Sequence, residues 1–164
     1  MSKNLIIRPA VAADVPLILC FIRELAEYEK LSDEAVGSEA ELEKWLFGDR
    51  PVARALIAEY SGEPAGFALF FLNFSTFLAK PGIFLEDLYV RPAVRGKGIG
   101  KALLIELVKI AAVEGYGRVE WAVLDWNTPA IEFYKSLGAK PMTDWTIFRL
   151  NSAAINSLAN DDEN

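Results

Sequence analysis

Apolar positions in this chain follow two periods, one helical and one of strands. Leu5-Ile6-Ile7 is a short apolar run closed by Arg8-Pro9 and reads as a first strand. From Ala12 to Lys30 the residues Val15, Ile18, Leu19, Ile22, Leu25 and Ala26 recur at helical spacing, with Asp14 in the first turn and Pro16 early enough to be tolerated. Ser38 and Glu41 match a capping box for a shorter helix, Ser38 to Phe47. Two β-rich runs, Ala53 to Tyr60 and Ala65 to Phe74, flank Ser61-Gly62-Glu63-Pro64 and predict a hairpin. Lys80-Pro81-Gly82 reads as a turn leading into a strand from Ile83 to Val90. A glycine-rich turn and a long helix follow, with Ile99, Leu103, Leu104, Leu107, Val108 and Ala111 on one face and Gly115 and Gly117 at its end. Val119 to Leu124 predicts a strand, Thr128 to Leu137 a helix capped by Gly138, and Trp145 to Leu150 a last strand before a frayed tail.

This order places hairpins first and α/β crossovers last. It predicts an α/β fold built on a mixed, mostly antiparallel central sheet with helices on both faces. With 164 residues and no linker or repeat, the chain reads as a single domain over residues 1–150 followed by a tail, 151–164.

Composition narrows the chemistry. About half of the residues are apolar (52%), enough for a core without disulfides or a structural metal. There is no histidine, and Cys20 is the only cysteine. Ser-His-Asp and Cys-His nucleophiles and Cys/His zinc sites are thereby excluded, and no metal is expected. Cys20, among Leu19, Phe21 and Ile22, reads as a small buried hydrophobe. The net charge of −6, part of it in Asp161-Asp162-Glu163, comes without a basic stripe, so nucleic acid is not an expected partner. No apolar run is long enough to span a bilayer and the first residues lack a signal-peptide design, so a cytoplasmic protein without a membrane partner is expected.

The stretch Arg95-Gly96-Lys97-Gly98-Ile99-Gly100-Lys101 lies between a strand and a helix, where free backbone N–H groups and the helix dipole favour phosphate. Glycines let the backbone approach closely, and Arg95, Lys97 and Lys101 add positive charge. A Walker A loop fails because Ala102 follows Gly100-Lys101 and Arg95 stands at the first glycine position. A dinucleotide fingerprint fails because Lys101 or Leu103 occupies its third glycine position. The pattern [RQ]-x-x-G-x-[GA] fits Arg95, Gly98 and Gly100.

That pattern resembles the pyrophosphate loop of the GNAT superfamily of acetyltransferases. Leu85-Glu86-Asp87-Leu88-Tyr89-Val90-Arg91-Pro92, Ala122-Val123-Leu124-Asp125-Trp126-Asn127 and Phe133-Tyr134-Lys135 resemble its spermidine/spermine N-acetyltransferase group. So does Arg23-Glu24-Leu25-Ala26-Glu27-Tyr28-Glu29-Lys30-Leu31-Ser32-Asp33, so the similarity runs over about residues 4–150. The resemblance implies a GNAT fold, acetyl-CoA as the donor, a small amine as acceptor and a homodimer. It assigns the pantetheine arm to the backbone of Leu88, Tyr89 and Val90, the pyrophosphate to Gly96 through Lys101, and a further cofactor contact to Asn127, Thr128, Pro129 and Ala130. Tyr134 matches the general acid and Glu86 the residue that deprotonates the amine, while Tyr28, Glu29 and Asp87 match positions around that amine. At Ser75-Thr76-Phe77 the chain departs from polyamine acetyltransferases and is similar to the thialysine-acetylating branch, which puts Phe77 among the substrate-selecting residues.

The residues themselves leave alternatives open. Tyr134, at helical spacing with Ala130 and Leu137, reads by itself as a packed aromatic rather than an acid, and its match to the family position reverses that reading. Adjacent Glu86 and Asp87 on a strand point to opposite faces unless the strand bulges. Tyr28 and Glu29 read equally as an exposed helix end. Two rival functions remain, acetylation of a protein or peptide amine and a non-catalytic acyl-CoA-binding module.

Overall fold

The computed structural model describes residues 4–160; Met1–Lys3 and the acidic Asp161–Asn164 end lie outside the described residues. The chain divides into two compact units, parting between Leu124 and Asp125.

The first unit is a five-stranded sheet in the order β1-β2-β3-β4-β5, with β1 at Leu5–Pro9, β2 at Arg54–Tyr60, β3 at Glu63–Ser75, β4 at Lys80–Val90 and β5 at Val119–Trp121. The first four strands pair antiparallel, and β5 joins β4 in parallel. Helices α1 (Val15–Tyr28) and α2 (Glu39–Phe47) follow β1, and α3 (Ile99–Glu114) makes the crossover from β4 to β5. Strand alternation divides the core between two faces. Ile57, Phe67 and Tyr89 meet Ile18, Phe21 and Leu25 of α1, and the Phe21 and Phe67 rings stack at 5.4 Å. Leu56, Ala68 and Leu85 belong to the opposite face, with Leu103, Leu104 and Leu107 of α3. Helices thus lie on both faces of a mixed sheet, as the sequence predicts.

Local signals explain most boundaries. Ser38 caps α2 by accepting from Glu41 N at 3.3 Å, although the Glu41 carboxylate accepts from Trp45 Nε1 at 2.8 Å instead of closing the box. Arg8 holds β1 to the start of α1 through both Asp14 oxygens, at 2.7 and 2.9 Å, and to β2 through Glu59 at 2.8 Å. The α3 helix ends at Gly115 with φ +70°, as its glycines predict, though Val108 of its expected apolar face is 48% exposed.

Three expectations for this unit need correction. Lys80-Pro81-Gly82 is the start of β4, and the turn falls at 76–79, where Ser75 Oγ accepts from Leu78 N at 3.2 Å. Proline is tolerated in this strand because β5 pairs only with Ile83–Leu85, leaving Pro81 where β4 has one ladder partner. For the same reason β5 stops at Trp121 rather than Leu124. Cys20 is exposed, not buried, because the α1 face it occupies turns outward; its thiol donates to Glu24 Oε1 at 3.2 Å.

The second unit holds α4 (Thr128–Ser136) and α5 (Ser152–Asn160). Trp145 to Leu150 forms no strand among the described residues: its alternation marks a face, but a strand also needs a ladder partner, and none is recorded. The expected frayed tail is helical from Ser152, because Asn151 Oδ1 caps it by accepting from Ala154 N at 2.9 Å. No helix among the described residues is long and apolar enough to cross a membrane.

Gly66, opposite Val90 on β3, marks where backbone contact is closest: a Cβ there meets the Tyr89 carbonyl oxygen at 2.3 Å. Gly66→Ala is expected to cost about 1–3 kcal/mol, the usual range for overpacking. A urea midpoint unchanged from wild type contradicts this.

Candidate active site

The turn after β4 is shaped by two glycines. Pro92–Val94 makes a single 3-10 turn, Arg95 is extended, and Gly96 and Gly98 both take φ +78°, a left-handed conformation that other residues adopt at a cost. Gly98 is the N-cap of α3 and offers no side-chain acceptor to the helix. The first-turn amides of Ile99, Gly100 and Lys101 are therefore uncapped by any side chain, and the 16-residue helix adds its dipole behind them. Lys97 and Lys101 are exposed beside these amides, while the Ile99 side chain is buried at 1% and anchors the turn. This donor set fits a diphosphate.

Upstream, the strand edge opens. The ladder to β5 ends at Leu85/Trp121, whereas β4 stays paired with β3 through Val90. From Glu86 to Val90 the edge of β4 on the β5 side thus has no strand partner among the described residues. An extended chain carrying amides can pair with such an edge, which suits the backbone positions expected at Leu88, Tyr89 and Val90. The Tyr89 side chain itself is buried, and burial with a hydrogen bond to Glu24 pushes its hydroxyl up to about 12.

The acidic pair sits where β4 is irregular. Leu85 pairs with Phe70 and Asp87 with Leu69, so Glu86 is an extra residue, a β-bulge. Pairing places Asp87 on the α1 face with Tyr89 and Phe67, and alternation carried forward from Phe84 and Leu85 brings Glu86 to that face too. Burial, then the charges of Glu86 and Glu29, push the Asp87 carboxyl up to about 7. Burial also raises Glu29, which follows the last residue of α1, while Glu86 is exposed. Three carboxylates thus share one region, and one of them changes charge near neutrality. Tyr28 lies alongside, its ring 4.7 Å from the guanidinium carbon of Arg95.

Phe77 stands apart from this cluster. Phe77 is 96% exposed on the 76–79 turn, beyond the Lys80 end of β4, which lies roughly 23 Å along the strand from Asp87 at ~3.3 Å per residue. It is not brought to the acidic cluster within the chain. In the second unit, buried Asn127 caps α4 by accepting from Ala130 N at 3.4 Å, and Pro129 occupies the first turn. Thr128 opens that helix, and half-buried Tyr134 in its last turn packs its ring 5.4 Å from Phe133.

Two residues given no role in the sequence expectations, Arg91 and Glu24, hold the region together. Arg91 pairs with Glu24 at 2.8 Å, donates to the Pro64 carbonyl at 3.1 Å and lies 4.8 Å over the Phe21 ring. Arg91 beside Glu24 holds that carboxyl below its usual range. Nothing local in the sequence signals a contact spanning 67 positions; only the helical spacing of Phe21 and Glu24 hints at a shared face.

Comparison with known proteins accords with this geometry. The family model for the acetyltransferase (GNAT) family matches residues 21–139. A thialysine N-epsilon-acetyltransferase from Sus scrofa is 40% identical, over 95% of this chain and 98% of its own. An L-ornithine N5-acetyltransferase from Arabidopsis thaliana is 33% identical, over 93% and 86% respectively. Among solved structures, an integron cassette protein from the mobile metagenome of V. cholerae superposes with a TM-score of 0.81 at 28% identity, covering 98% of this chain and all of the other. With the uncapped α3 amides, the parted β4 edge and a family match over most of its length, the chain belongs to the GNAT acetyltransferases, enzymes that take their acetyl group from acetyl-CoA.

Proposed function

We propose that this enzyme acetylates the side-chain amine of a small diamino acid, with short diamines as weaker acceptors, and acts as a cytoplasmic homodimer. The observation that carries the reading is the β4 bulge, which turns Glu86 and Asp87 toward one face beside Glu29 on the strand that feeds the glycine turn. An acidic region of this kind suits a cationic alkylammonium. The relatives named for thialysine and L-ornithine act on such amines, which supports the same acceptor class here. Acetylation of a protein or peptide amine is the second reading, and no observation favours it.

Acetyl-CoA supplies an activated thioester. In this reading the amides of Ile99, Gly100 and Lys101 hold its diphosphate, aided by Arg95, Gly96, Lys97 and Gly98, and the Leu88–Val90 edge aligns its amide-bearing arm. Asn127, Thr128, Pro129 and Ala130 add a second contact. An alkylammonium has a pKa near ~10.4 and is not nucleophilic until it loses a proton. Asp87, held near neutrality, takes that proton directly or through water, and Glu86 and Glu29 supply negative potential that keeps the amine in place. The expected assignment of this step to Glu86 remains the competing one. The free amine attacks the thioester carbonyl directly, a C–N bond forming as the C–S bond breaks, and Tyr134 gives its proton to the departing sulfur, so no covalent intermediate on the protein is required.

The two carboxylates are separable by pH. The kcat/KM of the wild-type enzyme is expected to rise with pH through a limb near 7, as Asp87 loses its proton. Glu86→Gln removes a like charge, lowers the Asp87 pKa and moves the limb to lower pH; Asp87→Asn abolishes it. Loss of the limb in Glu86→Gln instead makes Glu86 the proton acceptor.

Tyr134→Phe is expected to lower kcat by about 10² or more, the range for a general acid, while acetyl-CoA still binds. Isothermal titration beside a CoA-thiol release assay checks both halves, and undiminished turnover removes Tyr134 from the chemistry. The acceptor itself is read by the same assay over thialysine, lysine, ornithine, diaminopropane, putrescine, spermidine, spermine and a short peptide. Fastest turnover on thialysine or ornithine supports the assignment, and preference for spermine or the peptide overturns it.

A further inference from the structure

Phe21, Glu24 and Tyr28 lie at i, i+3 and i+7 on one face of α1, and two arginines flanking the β4–α3 turn reach back to that face. Arg91 takes Phe21 and Glu24. Arg95 takes Tyr28: its guanidinium carbon lies 4.7 Å from the Tyr28 ring and 5.8 Å from the Tyr89 ring, and its Nε donates to the Val90 carbonyl at 2.9 Å. That last bond ties the end of β4 to the residue entering Gly96. The backbone of Arg95, at φ −62° and ψ 156°, leads directly into the left-handed pair Gly96 and Gly98. A guanidinium held between two aromatic faces and a carbonyl fixes where that turn begins. Tyr28 is the outer of the two faces, 38% exposed at the last residue of α1 and adjacent to Glu29.

We propose that Tyr28 is a positioning residue for acetyl-CoA: by holding Arg95 it sets the glycine turn in the shape that receives the diphosphate, and so links that turn to the amine side of the site. This rests on the reading that the glycine turn holds the diphosphate of acetyl-CoA. It differs from the substrate-contact role expected of Tyr28, because the aromatic face carries the effect and the hydroxyl does not. The link is reciprocal, so a cofactor that orders Arg95 also orders the Tyr28–Glu29 end of α1 before the amine arrives.

The test is isothermal titration of acetyl-CoA into the full chain with no amine present. Tyr28→Leu is expected to weaken binding about three- to ten-fold, in the range of a cation–π contact. Tyr28→Phe, which keeps the ring, stays within about twofold of wild type. Arg95→Leu weakens binding at least as much, and adding Tyr28→Leu to it weakens binding no further, since the contact is already gone. Wild-type affinity in Tyr28→Leu, with the loss confined to the KM for thialysine or to the urea midpoint, overturns the proposal; so does an equal loss in Tyr28→Phe. A Lys97→Glu/Lys101→Glu variant tests the underlying reading separately. If that charge reversal leaves acetyl-CoA affinity unchanged, the diphosphate does not sit at the turn and both readings fall.

Discussion

Inserting one unpaired residue into β4 at Glu86 changes what both faces and one edge of that strand present. From Ile83 to Leu85 the strand is an inner member of the sheet, bonded to β3 and β5. Beyond the bulge it keeps β3 alone, and its face alternation is reset so that Asp87 and Tyr89 look toward α1. A regular strand would have sent one carboxylate of the Glu86–Asp87 pair to the α3 face, among Leu85 and Leu103. The bulge thus creates the acidic region and coincides with the open edge above it. The glycine turn inherits its position from the same strand, with Gly96 six residues past Val90 by way of Pro92–Val94.

The electrostatics of the first unit fall into two kinds with opposite signs. Asp14, bound by Arg8, and Glu24, bound by Arg91, have carboxyls held below their usual range. Folding therefore favours their charged forms, a stabilisation present above the ordinary carboxylate pKa and lost as pH falls through the depressed value. Asp87 is the reverse: its folded pKa is raised, so its contribution is most favourable in acid and declines as pH rises from the unfolded value toward about 7. The arginine pairs are partly exposed and so individually modest. Their effect lies in where they act, since each ties α1 to a strand or turn that the acidic region needs in place.

How much of this was legible in the sequence follows from the range of the interactions involved. Local and periodic features were readable: the α1 and α3 faces, the Ser38 cap, the hairpin at Ser61–Pro64, and the glycine turn, whose left-handed backbone and helix start depend on neighbours within seven residues. The β4 bulge could be framed only as a condition, because register depends on which residue of β3 meets which of β4. Lys80–Gly82 misled because a proline-glycine pair looks like a turn wherever strand pairing is ignored. Trp145–Leu150 misled in the opposite way, since alternation describes a face and says nothing of a partner. Arg91 and Arg95 carried no local signal for their partners on α1, Phe21, Glu24 and Tyr28, more than sixty positions earlier.

With no histidine in the chain, no side chain has an unperturbed pKa suited to exchanging a proton at neutral pH. An enzyme acting on an alkylammonium must therefore make such a group from another residue, and burial beside like charges is the available means for a carboxylate. The lone cysteine does not serve: Glu24, by accepting its hydrogen bond, raises the Cys20 thiol and so disfavours the thiolate. Tyr89 is carried further from neutrality by its burial and by Glu24. Asp87 is the group whose surroundings bring it to the working range: burial does most of this, and the charges of Glu86 and Glu29, which also suit a cationic acceptor, add to it. One arrangement of three carboxylates can thus select the amine by charge and prepare it by proton removal, which direct transfer from a thioester requires.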